Sequence, residues 1–327
     1  MIKAKVLILG SSSFGGSSFV NFILNKNNFE VYGTYRKKKP NVYLTYLKNK
    51  NFKNLKSFKI DLLRDKKKLF NLIRKIKPNY IIDFASINIV NSSWNTPEIY
   101  TYTNVNSKIE IIKNLHNLSF LKKYIYISTP EIFGSSNKKI KENSKIFNPN
   151  TPYASSKLHA EFLLKNYYNS FKAPVIIARF SNFFGPGQSL NRLIPKVLFC
   201  IKNNKKFPLD GKGDSLRGYV YSYDFCNGIY QIIKKGKFGK TYHFSQKKSY
   251  SVIGVIKLIC KIKNYSLKKL ILFKKDRIGK DKCYKLDILN SVKILKWKNK
   301  FSLKDGIKEM IKYQDKNNKK YWNLIEK

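Results

Sequence analysis

The first 185 residues alternate short apolar runs with stretches of helical period, and that rhythm constrains the chain more than any other feature. Apolar runs at 5–9, 30–35, 55–61, 80–84, 123–128 and 174–180 read as buried strands. Helical patterns fall between them at 14–24, 65–75, 97–115 and 153–171. Strands spaced by helices of roughly 10–15 residues join through right-handed crossovers into a parallel sheet covered on both faces. The rhythm loosens after residue 185, where turn signals cluster in Phe183-Phe-Gly-Pro-Gly187 and Asp210-Gly-Lys-Gly-Asp214. A helix at 303–313 then precedes a polar tail. The expected architecture is α/β: a doubly wound parallel sheet over 1–185 with a returning segment near 219–246. A smaller, interleaved C-terminal lobe would come from 186–218 and 247–327.

Composition narrows the function. At 327 residues and 43% hydrophobic, the chain has ample material for a packed core. Its four cysteines show no CxxC spacing and no paired framework, which fits reduced thiols in the cytoplasm and no metal site. The N-terminus offers about five apolar residues before Gly10, too few for a signal peptide. No apolar run approaches the roughly 20 residues that span a bilayer. The formal charge of +47 comes from 59 Lys and only 7 Arg. These lysines are spread along the chain, and Lys, Asn and Ile share A/T-rich codons, so codon bias and a solvated surface account for the charge. A nucleic-acid binder gathers its charge on one face or tail, so no specific nucleic acid is expected. The basic field would still draw in a diphosphate.

The first apolar run feeds Gly10-Ser-Ser-Ser-Phe-Gly-Gly16 and then a helix. Such a loop turns backbone N–H groups and a helix N-terminus toward a pyrophosphate, as in the Rossmann dinucleotide fold. Gly10, Ser13, Phe14 and Gly16 are its candidate cofactor residues, with Ser13 where a middle glycine is expected. An acid at the end of the second strand would hold the ribose 2′-OH of NAD, whereas Arg suits the 2′-phosphate of NADP. This chain has Gly33-Thr-Tyr-Arg36 and no acid, so Arg36 favours NADP over NAD. Asp61, ending the third strand, and the adjoining Leu62 are candidates for the adenine.

Tyr-x-x-x-Lys places a phenol and an ammonium one turn apart on a helix face, where the ammonium lowers the phenol pKa toward use as a base. The spacing occurs six times, at Tyr35, Tyr46, Tyr153, Tyr168, Tyr230 and Tyr265. Chance alone predicts about four in a chain this rich in Tyr and Lys. Tyr153 heads a helix after Asn148-Pro-Asn-Thr-Pro152 and follows a strand ending in Ser128-Thr-Pro-Glu131, which singles out Tyr153 and Lys157.

Taken with the glycine loop, Ile127-Ser-Thr-Pro-Glu-Ile-Phe-Gly134, Pro152-Tyr-Ala-Ser-Ser-Lys157 and Arg179-Phe-Ser-Asn-Phe-Phe-Gly-Pro186 resemble the extended short-chain dehydrogenase/reductase family. Within it the chain looks most like the nucleotide-sugar 4,6-dehydratases. The likeness continues through Arg192-Leu-Ile-Pro195, Gly211-Lys-Gly-Asp-Ser-Leu-Arg217 and Asp276-Arg-Ile-Gly-Lys-Asp281, covering nearly the whole chain. The resemblance implies an NAD(P) cofactor, an NDP-sugar substrate and a division of labour. Tyr153 would take the 4-OH proton, assisted by Lys157, and Thr129 would hydrogen-bond the same oxygen. Glu131 would remove the C5 proton as water leaves C6. Arg217 and Arg277 would hold the diphosphate, with Arg192 near the base, Asn182 at the turn, Ser93 contacting from the fourth-strand loop and Asn104 buried in a helix. It also implies a homodimer formed through helices 97–115 and 153–171.

Two positions depart from the family pattern. Pro130 stands where many members carry an Asp that protonates the leaving hydroxyl, although the GDP-mannose-type enzymes also lack it, and Arg36 fits that subgroup. Gly218 stands where an acid usually follows the motif Arg. His116, His159 and His243 are isolated and read as structural. Sugar 4-epimerases generally lack a Glu at the position of Glu131, which favours a dehydratase. A 4-epimerase or UDP-glucuronate decarboxylase of the same fold is the near alternative, and a non-catalytic basic binding protein the remote one.

Overall fold

The computed structural model describes residues 3–276 and 278–322, which leaves Arg277 outside the described residues. Seven strands form the central sheet: β1 (Ala4–Leu9), β2 (Phe29–Tyr35), β3 (Leu55–Lys59), β4 (Tyr80–Asp83), β5 (Lys123–Ser128), β6 (Val175–Phe180) and β7 (Thr241–Phe244). Their order is β3-β2-β1-β4-β5-β6-β7, and every pairing is parallel. The chain winds outward from β1 to β3, then returns to lay β4 on the other side of β1. The winding reverses between β1 and β4, and ligands of such sheets bind in the crevice outside the carboxyl ends of the strands at that point.

Apolar burial explains the layers. Val6, Leu7, Ile8 and Leu9 of β1 are all fully buried, as a strand covered on both faces must be. On one face pack α1 (Phe14–Ile23) and a helix from Ser222 to Lys235, bringing Phe19, Val20 and Ile23 against Phe225, Ile229 and Ile232. On the other, α2 (Lys66–Ile76), α4 (Ser107–Asn114) and α5 (Pro152–Phe171) bury Leu69, Ile73, Ile111, Ile112, Ala160 and Leu164. Each of the larger of these side chains contributes about 1.5–3 kcal/mol by leaving water. A third cluster joins the helices Leu193–Lys202, Val252–Lys263 and Leu303–Trp322 through Val197, Ile256, Ile259, Ile307 and Met310.

Two helices differ from their sequence pattern. The expected helix over 97–115 is interrupted: α3 (Pro97–Thr101) gives way to a π-turn, Tyr102–Asn106, before α4. The π-turn holds the fully buried Asn104, which hydrogen-bonds both backbone groups of Ile87 and the Ser156 hydroxyl. Such single π-turns recur at functional sites. The final helix runs on to Trp322 rather than stopping at 313. Its inward stripe past Met310 is Gln314, Asn317 and Tyr321, and the two amides disguise the apolar period.

Among the described residues, no helix is long and apolar enough to cross a membrane. Nor does any group of three or more His, Cys, Asp or Glu stand ready to hold a metal ion.

Candidate active site

The glycine loop lies where β1 ends and α1 begins. Gly10 has φ 78°, a conformation that side chains disfavour, and a β-carbon there would meet the Ala85 backbone at 3.1 Å. A β-carbon on Gly33 would stand 2.7 Å from Ser11 Cβ, so β2 also crowds the loop. Ser13 has φ −71° and needs no glycine; it caps α1 by accepting from the Gly16 N–H at 3.1 Å. No acid sits in the first turn of α1 to repel an anion. The bare cradle, the helix N-terminus and the crevice together fit a dinucleotide pyrophosphate. Phe14 stacks on Phe183 at 5.3 Å, tying the loop to the short strand Asn182–Phe184 that follows β6. Arg36 is exposed just past the end of β2. Asp61 accepts from the Leu63 N–H at 2.9 Å and so holds its own turn, while Leu62 packs into the core beside it.

Thr129 follows β5 and caps a 3-10 turn, Pro130–Phe133, its hydroxyl accepting from the Glu131 N–H at 3.3 Å. Pro130 occupies the first position of that turn, where no N–H is needed. Opposite it, Thr151 caps α5 by accepting from the Ala154 N–H at 3.1 Å, so Tyr153 falls in the first turn and Lys157 in the next. Tyr153 is buried, and its hydroxyl hydrogen-bonds the Thr129 side chain. Burial, then the Glu131 charge, pushes the Tyr153 phenol up; Arg192 and Thr129 pull against them. Arg192 reaches this corner from the start of its helix, donating to the Asn88 carbonyl at 2.9 Å and side chain at 2.7 Å. Tyr100 packs edge-on against Tyr153 at 6.4 Å.

Lys157 is buried and donates to the Ile127 carbonyl at 2.7 Å and the Ser86 hydroxyl at 3.0 Å. Its ammonium lies 4.0 Å over the Tyr126 ring. Burial, helped by the nearby Lys108 charge, lowers the Lys157 pKa to about 7, against the pull of Asp83 and Glu161.

A second group gathers around Tyr284. The Arg217 guanidinium lies 4.5 Å over this ring and donates to the carbonyls of Leu216 at 2.8 Å and Asp281 at 2.5 Å. The Tyr284 hydroxyl donates to Asn182 Oδ1 at 2.9 Å, and the Glu131 charge reaches the same phenol. Asn182 is itself exposed. Gly218 explains its own departure: a β-carbon there would stand 2.2 Å from the Ser245 hydroxyl, leaving no room for an acid.

The structure thus brings Thr129, Glu131, Tyr153, Lys157 and Arg192 together and links Asn182 to Arg217 through Tyr284. Ser93 is fully buried and spends its hydroxyl on the Val90 carbonyl at 2.6 Å, within its own turn. Ser86, Tyr100, Tyr126 and Tyr284 also belong to the site. Their side chains carry no spacing signal, since they meet only through the fold.

The sheet order, the glycine cradle and the tyrosine–lysine pair define a Rossmann-fold enzyme of the NAD(P)-dependent nucleotide-sugar dehydratase and epimerase class. Residues 7–310 match the family described as GDP-mannose 4,6 dehydratase, and the chain belongs to it. It is 29% identical to the dTDP-D-glucose 4,6-dehydratase of Dictyostelium discoideum, over 97% of this chain and 83% of that protein. With the dTDP-D-glucose 4,6-dehydratase of Homo sapiens it shares 32% identity, over 77% of this chain and 72% of that one. Its structure superposes on DesIV, the dTDP-glucose 4,6-dehydratase of Streptomyces venezuelae with NAD and TYD bound. The TM-score is 0.86 at 25% identity, covering 96% of this chain and 98% of that one.

Proposed function

We propose that the chain is a nucleotide-sugar 4,6-dehydratase, turning an NDP-hexose into the NDP-4-keto-6-deoxyhexose. The observation that carries this reading is Glu131 set beside Thr129 and Tyr153, a carboxylate where elimination needs a base. A bound nicotinamide dinucleotide would accept hydride from C4, return it at C6 and place positive charge beside the phenol. Tyr153 takes the 4-OH proton, and Thr129 hydrogen-bonds the same oxygen. Lys157, one helical turn from Tyr153, would add positive charge that favours the phenolate, against the burial and the Glu131 charge that raise it. Glu131 removes the C5 proton, acidified by the new ketone. Pro130 has no proton to give, so the leaving 6-OH takes one from the now protonated Glu131 or from water, and C5 regains a proton from solvent, by way of Glu131, as the hydride returns to C6.

Arg217, stacked on Tyr284, presents a planar fork suited to a diphosphate, with Arg277 joining it by its place in the sequence. Arg192, bonded to Asn88, would lie near the nucleotide base, and Asn182, which accepts from Tyr284, would serve the diphosphate side at the turn. Ser93, its hydroxyl spent, would offer backbone and shape only.

For the cofactor we propose NADP over NAD, on the exposed Arg36 and the absence of an acid in Gly33-Thr-Tyr-Arg36. Asp61 and Leu62 would flank the adenine. Residues 1–185 with 219–246 would serve the cofactor, and 186–218 with 247–327 the sugar nucleotide. Ile99, Tyr102, Ile109 and Phe162 are exposed on α3, the π-turn, α4 and α5, which supports a homodimer paired through these helices. The four cysteines are buried free thiols, in keeping with a cytoplasmic setting.

Mass spectrometry of products from GDP-mannose, dTDP-glucose and UDP-sugars, with NADP or NAD supplied, tests the reaction. A product lighter by one water identifies the dehydratase and its substrate. Isomerisation or loss of carbon dioxide would keep the Tyr153–Lys157 roles and remove that of Glu131.

A further inference from the structure

Behind Lys157 lies a second lysine that the reaction does not use. Lys108 of α4 and Asp83 at the end of β4 are both fully buried. The Lys108 ammonium donates to Asp83 Oδ1 at 2.8 Å, to Oδ2 at 2.6 Å and to the Ala85 carbonyl at 2.6 Å, which uses its three protons. Asp83 also accepts from the Ala85 N–H at 2.9 Å and from the Tyr124 hydroxyl at 2.5 Å. The pair therefore grips Ala85 by both its N–H and its carbonyl. The next residue is Ser86, which holds Lys157. Ala85 is also the residue that a β-carbon on Gly10 would meet, so the pair, Lys157 and the dinucleotide cradle adjoin one another.

The Tyr126 ring completes the link. Lys108 lies 5.7 Å from its centroid and Lys157 4.0 Å, so two ammonium groups share one ring. Lys108 has a carboxylate partner. Lys157 is held by a carbonyl, a hydroxyl and the ring, all neutral. The charges facing it are Lys108 from α4, Asp83 from β4 and, one turn along α5, Glu161, which is paired to Arg179 of β6. The Tyr126 phenol stands beside it from β5, with the phenols of Tyr124 and Tyr153 acting on Tyr126 in turn. Two apolar side chains of the same volume would hold β4 to α4 without the cost of desolvating two ions.

We propose that the Asp83–Lys108 ion pair is a positioning device for Lys157, fixing its ammonium through Ala85 and Ser86 and setting how readily that ammonium gives up its proton. The two charges act on Lys157 with opposite signs. Lys108 favours its neutral form and Asp83 its charged form. The inference rests on the reading of Lys157 as the lysine beside the dinucleotide.

The test is the pH dependence of binding of whichever of NADPH and NADH binds tighter, followed by fluorescence in the protein without sugar nucleotide. Lys108→Met should move the alkaline midpoint up by about one pH unit, and Asp83→Asn should move it down by about as much. A purely structural pair would weaken folding in both variants without splitting the midpoints. Equal or same-sign shifts in folded variants would overturn the proposal. Should the charge variants fail to fold, Tyr124→Phe decides. Freeing Asp83 of one hydrogen bond should raise the midpoint, and an unchanged value would overturn the proposal. Binding needs no turnover, so wild type that binds dinucleotide but dehydrates no sugar would sink the proposed reaction and leave this inference standing. Absence of dinucleotide binding in the wild type would overturn both.

Discussion

A β-carbon on Gly16 would stand 2.2 Å from the carbonyl oxygen of Gly10. No side chain fits that gap without pushing α1 off the end of β1, where the cradle is formed. Gly16→Ala is expected to weaken dinucleotide binding at least about tenfold and to cost about 1–3 kcal/mol of stability through overpacking. A fluorescence titration and a urea melt read the two effects separately.

Glu131→Gln keeps the size of the side chain and removes the base. Water loss should fall by about 10²–10⁴, while dinucleotide affinity stays within a factor of about two. Reduced nicotinamide should accumulate, because oxidation at C4 comes before elimination. Turnover at the wild-type rate would remove Glu131 from its assigned role.

Lys157 gives the pH dependence its sign. Its pKa is lowered to about 7, so the ammonium is present below that pH and lost above it. In the protein without ligands, dinucleotide affinity should therefore decline as pH rises through neutrality. Lys157→Met should flatten this profile. A decline that persists in the variant would point to another titrating group.

Arg217 presents a stacked fork rather than a point charge. Arg217→Lys keeps the charge and loses the fork and stacking, so KM for the sugar nucleotide should rise about tenfold with kcat little changed. Steady-state kinetics across a substrate series would show the split. A loss confined to kcat would move Arg217 from binding to chemistry.

Arg179 is fully buried, with Nε and Nη2 donating to the two oxygens of the equally buried Glu161 at 2.9 and 2.5 Å. Arg179→Met leaves that carboxylate without its partner and should cost about 3–5 kcal/mol. Adding Glu161→Leu should recover part of the loss. Denaturant unfolding of both variants checks the pair.

Much of this site could be read from residue order because its parts lie on local signals. The glycine loop follows a buried strand, Tyr153 and Lys157 sit a turn apart on one helix, and Thr129 caps the turn after β5 that carries Glu131. Local propensity could not foretell what distant segments bring. Tyr284 joins Asn182 to Arg217 across a separation of 102 residues. Lys108 resembled one more surface lysine in a chain full of them, although its neighbours Ile111, Ile112 and Leu115 mark a buried face. The π-turn at Tyr102–Asn106 has no sequence signature, because it is stabilised by what Asn104 reaches rather than by its own residues.

The last strand of the sheet, β7, comes from residues beyond the Arg217 motif and lies against β6, with His243 opposite Arg179. The imidazole approaches that guanidinium at 3.1 Å. A fragment ending at residue 185 would carry a bare sheet edge and an arginine missing its neighbour. The gene is therefore a poor subject for recombination: a parent swapped in downstream must bring a strand that fits the upstream parent's sheet.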